Sequence, residues 1–275
     1  NDLGDGREAF TEIALYKSES DRTAHASYAF SSSKHRVGPD NYYLNQLKVD
    51  VDGVPTAIFA GKALLIDNYR YEERQRLVNV KKETYRFLQG LRGTRGDWDW
   101  ETAFVKSQAQ SNDVTTNRLS NNLLKEALYD STEAAYNPFS AGVNSNIERA
   151  LIDVYRKGVS DLMMVDFKIS SNDLWEMPGG NMGMLVGLEY RDEEISDDRD
   201  PRLDGTITYT DYEGDTYPLV GDVVNSSPTA DVQGSRNVVS VFTELQIPLT
   251  DRINVQSAVR HETFSDYGDS TVAKL

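Results

Sequence analysis

Alternation of apolar and polar side chains with period two, kept up over runs of about ten residues, constrains this chain more than any other feature. "SDLMMVDFKIS" (160–170) puts Met163, Val165, Phe167 and Ile169 on one parity, with Met164, Asp166 and Lys168 on the other. "MGMLVGLEYRDEE" (182–194) sets Met184, Val186, Leu188 and Tyr190 against Gly187, Glu189, Arg191 and Glu193. "NVVSVFTELQIP" (237–248) sets Val239, Val241, Leu245 and Ile247 against Ser240, Glu244 and Gln246. "INVQSAVRHE" (253–262) sets Ile253, Val255 and Val259 against Asn254, Gln256 and Arg260. In "GDWDWETAFVKS" (96–107), Trp98, Trp100 and Phe104 oppose Asp99, Glu101 and Ala103. Residues 10–19 and 84–93 follow the same template less cleanly. Each run reads as a strand with one apolar and one charged face.

The connections alternate too. Short turns are expected at "GTRGD" (93–97), "SSNDLWEMPGG" (170–180) and "PLTDR" (248–252), and long polar stretches at roughly 20–65, 109–157 and 195–234. Three structureless loops of that length are rare in a compact soluble domain, whereas an outer-membrane barrel carries short turns at one end and long loops at the other. Within the second stretch, "SNNLLKEALYDS" (120–131) predicts a short helix with Ser120 as N-cap, and "SNIERALIDVY" (145–155) a further helical turn leading into a strand. No window approaches the ~18 consecutive apolar residues of a membrane helix, which leaves strands as the only means of crossing a bilayer.

Chemistry-bearing patterns are sparse. The chain has no cysteine, which excludes disulfide scaffolds, thiolate metal sites and cysteine nucleophiles. A net charge of −15 argues against a nucleic-acid partner. The three histidines, His25, His35 and His261, have no serine–carboxylate constellation around them, so His25 and His35 are expected as loop decoration and His261 as a strand residue. The acids of "EEISDDRDPRLDG" (193–205) and the "DVDG" at 50–53 lack the spaced ligands of a calcium loop and read as solvated. No catalytic residue, no metal ligand and no cofactor is expected, and the chain is not read as an enzyme. Tyr42, Tyr43, Tyr209, Tyr212 and Tyr217 fall in the long stretches, where a flat ring with one hydroxyl suits ligand capture.

Five segments, "DLGDGREAFTEIALYKSES", "NVKKETYRFLQGLRGTRGDWDWETAFVKS", "AAYNPFSAG", "PGGNMGMLVGLEYRDEEISDDRDP" and "VFTELQIPLTDRINVQSAVRHETFSDYGDSTVAKL", in this order and spacing, resemble TonB-dependent outer-membrane receptors. The resemblance implies an all-β fold: residues 1–275 as a partial antiparallel up-and-down transmembrane β-barrel, about eight strands of a 22-stranded barrel, with long extracellular loops. Neither the family's plug domain nor its TonB-contacting box is recognisable, and the family continues past "TVAKL". The chain therefore reads as a middle portion of such a barrel in a Gram-negative outer membrane.

On that reading Trp98, Trp100 and Phe104 form a lipid-facing girdle, and Asp166, Lys168, Glu189, Arg191, Glu244 and Arg260 face the lumen and, in the whole receptor, the plug. The implied activity is energy-coupled import of a scarce nutrient: a siderophore, cobalamin, an oligosaccharide or a peptide. The implied partners are membrane lipid, the plug, the TonB energy-transducing complex and the small-molecule nutrient. Two alternatives stand beside it: a soluble or surface-attached all-β ligand-binding module, whose apolar parity a second sheet would cover, and a passive porin-like barrel.

Overall fold

In a computed structural model, described for residues 2–275, nine antiparallel strands form one sheet in which every strand pairs with its sequence neighbours. They are β1 (Asp2–Gly4), β2 (Arg7–Ala24), β3 (Arg76–Arg95), β4 (Trp98–Leu119), β5 (Leu151–Met177), β6 (Gly180–Arg199), β7 (Val232–Thr250), β8 (Ile253–Phe264) and β9 (Gly268–Lys274). The sheet does not close, and β1 and β9 are its edges. The all-β expectation holds, with nine strands where about eight were expected.

The strands outrun their sequence-based limits. Alternation fails where polar residues fill both parities, yet the ladder continues: Asp113 still pairs with Arg156, and Lys157 with Asp198. The stretch 170–180, expected as a turn, belongs mostly to β5, which carries a bulge between Ser171 and Trp175 and ends at Met177. The turn itself is only Pro178–Gly179, with Met177 opposite Gly180. The acids at 193–199, expected in a loop, are the end of β6. Tight turns at Asp5–Gly6, Gly96–Asp97, Pro178–Gly179 and Asp251–Arg252 gather at one end of the sheet. At Asp5–Gly6 both residues have φ near +50° to +70°, the backbone that a two-residue hairpin following the strand twist requires.

Directly opposed residues in an antiparallel ladder point to the same face. One row crosses the sheet as Ala9, Leu91, Thr102, Phe167, Leu188, Val241 and His261, and the next as Thr11, Gln89, Phe104, Val165, Tyr190, Val239 and Thr263. Trp98 and Trp100 stand on this face. So does Trp175, which pairs with Met182 on the parity of Met184 and Val186. Nothing packs on it: Phe167 is 42% exposed, Leu188 53%, Val239 50% and Val241 46%. On the opposite face Ala103, Val105, Val238 and Ser240 are buried with no second layer above them. Burial on one side and exposure on the other mark the polar face as the concave one.

The buried core lies outside the sheet. The connections 25–75, 120–150 and 200–231, at the end away from the tight turns, fold together into a cap. It contains α1 (Tyr42–Gln46), α2 (Asn121–Tyr129), α3 (Pro201–Asp204) and four two-stranded ribbons. In α2, Leu124, Ala127 and Leu128 make an inward stripe with spacing three and four, packed with Val37, Leu44, Tyr71, Tyr136, Ile147 and Val224. At ~1.5–3 kcal/mol for each large apolar side chain taken out of water, this cluster is enough to order loops that read as structureless. Ser120 caps α2 as expected, its Oγ accepting from Leu123 N, and residues 147–150 form the expected helical turn before β5.

Candidate functional site: the loop cap and the two sheet faces

The cap is built on buried polar ties between the three connections. His35 sits on the ribbon His35–Val37, which pairs with Leu64–Ile66, and alternation along it buries His35 and Val37 while turning Arg36 outward. The expectation that His35 decorates a loop surface is wrong. Its Nδ1 lies 2.8 Å from the Tyr71 hydroxyl and its Nε2 2.6 Å from Asn121 Oδ1. The Asn121 amide nitrogen donates to Gly221 O, so Oδ1 is the acceptor, Nε2 carries the proton and Nδ1 accepts from Tyr71. Burial pushes the imidazole down to about 4, although the bond to Asn121 favours the charged form. His25 is exposed, and His261 is a strand residue bonded to Thr271.

Asp222 makes the second tie. Fully buried, it accepts from Ser120 Oγ at 2.7 Å and from Asn122 N at 3.0 Å, and its other oxygen pairs with Arg202. A carboxylate at the first turn of α2 satisfies an N–H that the helix leaves open and complements the helix dipole. Lys125 donates to the carbonyls of Thr210 and Asp211, extending the same junction. On the far side of the cap, the bond from Arg149 and those from Thr132 hold the Asp130 carboxyl down at about 2.

The five tyrosines separate into three environments. Tyr209 is buried, its hydroxyl donating to Ser33 O, and so serves packing. Tyr42 and Tyr43 pack edge to face at 5.1 Å, their hydroxyls donating to Glu133 Oε1 and to its backbone O. Tyr212 and Tyr217 come together with three residues that sequence reasoning passed over: Lys34, Arg36 and Tyr129. The Arg36 guanidinium lies 4.0 Å from the Tyr212 ring centre and 5.6 Å from that of Tyr129, and its Nε donates to Tyr129 Oη at 2.7 Å. Lys34 donates to Glu213 at 2.6 Å and to Tyr217 Oη at 2.7 Å, and reaches Asp211 at 3.4 Å. The "KHR" run gave no local signal for this cluster: Lys34 stands before the ribbon in left-handed backbone, and its partners and those of Arg36 lie about 93 to 183 residues away.

Asp211, Glu213 and Asp215 bring carboxylate oxygens within 4.8 Å of one another. The cation beside them is the protein's own Lys34, whose ammonium the bonds to Glu213 and Tyr217 hold above the usual lysine range. Burial pushes the Asp211 carboxyl up, but the amides of Asp215 and Glu213 and the Lys34 charge outweigh it and leave the group below the usual range. In the "DVDG" hairpin, Asp50 accepts from Gly53 N, a turn bond and not a cation cage.

On the concave face Asp166, Lys168, Glu189, Arg191, Glu244 and Arg260 do share one side of the sheet. Lys168 pairs with Glu101 at 2.7 Å, Arg260 with Glu189 at 2.9 Å and Arg191 with Glu189 at 3.1 Å, while Glu244 stays exposed opposite Leu185. Two glycines carry aromatic lids there: a Cβ on Gly90 would lie 2.1 Å from the Phe10 ring, and one on Gly187 2.2 Å from that of Phe242. The guanidinium groups of Arg92 and Arg260 lie 5.5 and 5.3 Å from the centres of the Phe10 and Phe242 rings. Comparison with protein-family models, curated proteins and solved structures gave no match.

Proposed function

We propose that the sheet is a section of the wall of a transmembrane β-barrel, its convex face against lipid and its concave face against water. The observation that carries this reading is the uncovered apolar band, with all three tryptophans on it beside the tight turns. In β6 the band runs from Met182 to Tyr190, roughly 20–25 Å at ~3.3 Å per residue with the usual barrel tilt, close to the ~25 Å of a bilayer-facing surface. A soluble two-sheet module requires a covering layer, and the other four sheets are two-stranded ribbons within the cap. The particular protein that this wall and its large cap fit is a TonB-dependent receptor of a Gram-negative outer membrane, a transporter and not an enzyme. The five resembling segments support that assignment. The cap is then the nutrient-capturing end and the ion-paired concave face the seat of the plug, with the TonB complex supplying the energy; no cofactor is involved.

Tryptophan fluorescence tests the wall. In vesicles of phosphatidylcholine brominated high on the acyl chain, single-tryptophan versions of the full chain keeping Trp98, Trp100 or Trp175 are expected to be quenched by the lipid. Quenching by aqueous iodide alone would put the face in water and overturn the reading.

A further inference from the structure

The loops of the cap contain five arginines: Arg36, Arg70, Arg74, Arg149 and Arg202. Four have a carboxylate partner: Arg70 with Glu72 at 3.4 Å, Arg74 with Glu148 at 2.7 Å, Arg149 with Asp130 at 2.6 Å, and Arg202 with Asp222. Arg36 alone has none among the described residues. Its guanidinium is nevertheless fixed, since it sits 4.0 Å from the centre of the Tyr212 ring, Tyr129 takes the Nε proton, and Val37 and His35 anchor the ribbon on either side. Among the described residues both terminal nitrogens have no acceptor, and they lie on the outward side of the ribbon beside exposed Leu65. Neighbouring Lys34 cannot serve in its place, because Glu213 and Asp211 already neutralise it.

A guanidinium held flat with its outer edge free matches the two oxygens of a carboxylate, to which it can donate two parallel N–H bonds. We propose that Arg36, stacked on Tyr212 and tethered by Tyr129, is a binding site for a carboxylate group carried by the ligand, with the tyrosine faces taking the ring or chain next to it. Most of the rotamer freedom that an exposed arginine loses on binding is already spent, so the site is preorganised. This deepens the reading of the cap as the ligand-capturing end. It is tested independently of the wall, which tryptophan quenching reports.

The test is a titration of the full folded chain with benzoate, its neutral isostere benzamide, and inorganic phosphate, followed by saturation-transfer NMR. Saturable binding of benzoate is expected, with benzamide and phosphate each weaker by about tenfold or more. Arg36→Gln is expected to abolish benzoate binding and Arg36→Lys to weaken it about tenfold, whereas Arg70→Gln, which removes a cap arginine already paired with Glu72, leaves it unchanged. An unchanged thermal transition in these variants shows that the cap is intact; if Arg36→Gln lowers it, Arg36→Lys decides, with Arg70→Gln as the control. Absence of saturable benzoate binding up to about 50 mM, unchanged binding in Arg36→Gln and Arg36→Lys, or phosphate binding as tightly as benzoate would each overturn the site.

Discussion

His35 shows at the scale of one residue how burial converts a loop histidine into a pH-sensitive tie. Its folded value near 4 lies below the ~6.5 of an exposed imidazole. Between those values the unfolded chain binds a proton that the folded cap does not, so stability is full above about pH 6.5 and is lost as pH falls towards 4. The loss over that window is on the order of 3 kcal/mol at ~1.4 kcal/mol per unit. Denaturation of the cap, followed by Tyr71 and Tyr136 absorbance between pH 7 and 5, is expected to show that slope, and His35→Gln to flatten it. A slope surviving the substitution would place the proton uptake elsewhere. The polar string around "SKHRVG" held no hint of burial, because the partners, Tyr71 and Asn121, are 36 and 86 residues away. The same distance hides the lids on Gly90 and Gly187. Gly90→Ala is expected to cost about 1–3 kcal/mol, since a methyl 2.1 Å from Phe10 Cζ must expel that ring from its seat. Gly158, where a Cβ meets open space, is the matched control, and chemical denaturation of the folded chain measures both.

Among elements, strands were legible and loops were not, for a physical reason. Alternation exists wherever one strand face meets a different solvent from the other, so "SDLMMVDFKIS" and "INVQSAVRHE" announce themselves. It fades in the outer parts of β4, β5 and β6, where polar residues fill both faces and the ladder is continued by backbone pairing and cross-strand ion pairs such as Arg156–Asp197. A bulge erases it too, as between Ser171 and Trp175, where Trp175 looked like a turn residue and is a strand residue facing outward. Helix α2 was readable because its signals are local: an N-cap serine and an inward stripe. Its anchor, Asp222, lies 102 residues from Ser120. Ser120→Ala is expected to cost the cap about 1 kcal/mol, as loss of an N-cap does. Asp222→Ala is expected to cost about 3 kcal/mol or more, because it strands Arg202 and the first-turn N–H together. Urea denaturation monitored at the cap ranks the two, and equal costs would mean that the carboxylate is not the anchor.

For the whole molecule, the two faces of one sheet ask for two different solvents, and a substitution can discriminate between them. Phe167 and Lys168 are neighbours on β5, 42% exposed and half-buried respectively, yet they point to opposite sides. If the convex face meets hydrocarbon, Phe167→Arg sits near the middle of the apolar band and costs about 2–4 kcal/mol of folding in vesicles. Asp166→Asn, one position away on the concave face, changes folding by well under 1 kcal/mol, because a wet lumen tolerates either group. In water the difference disappears: a phenylalanine already exposed has little to lose, and an added arginine on that face improves solubility. Folding titrations of both variants in lipid vesicles therefore separate a membrane wall from a soluble sheet without reference to transport. An equal, small effect at Phe167 and Asp166 would leave the apolar band without a solvent to match it and remove the physical basis of the membrane assignment.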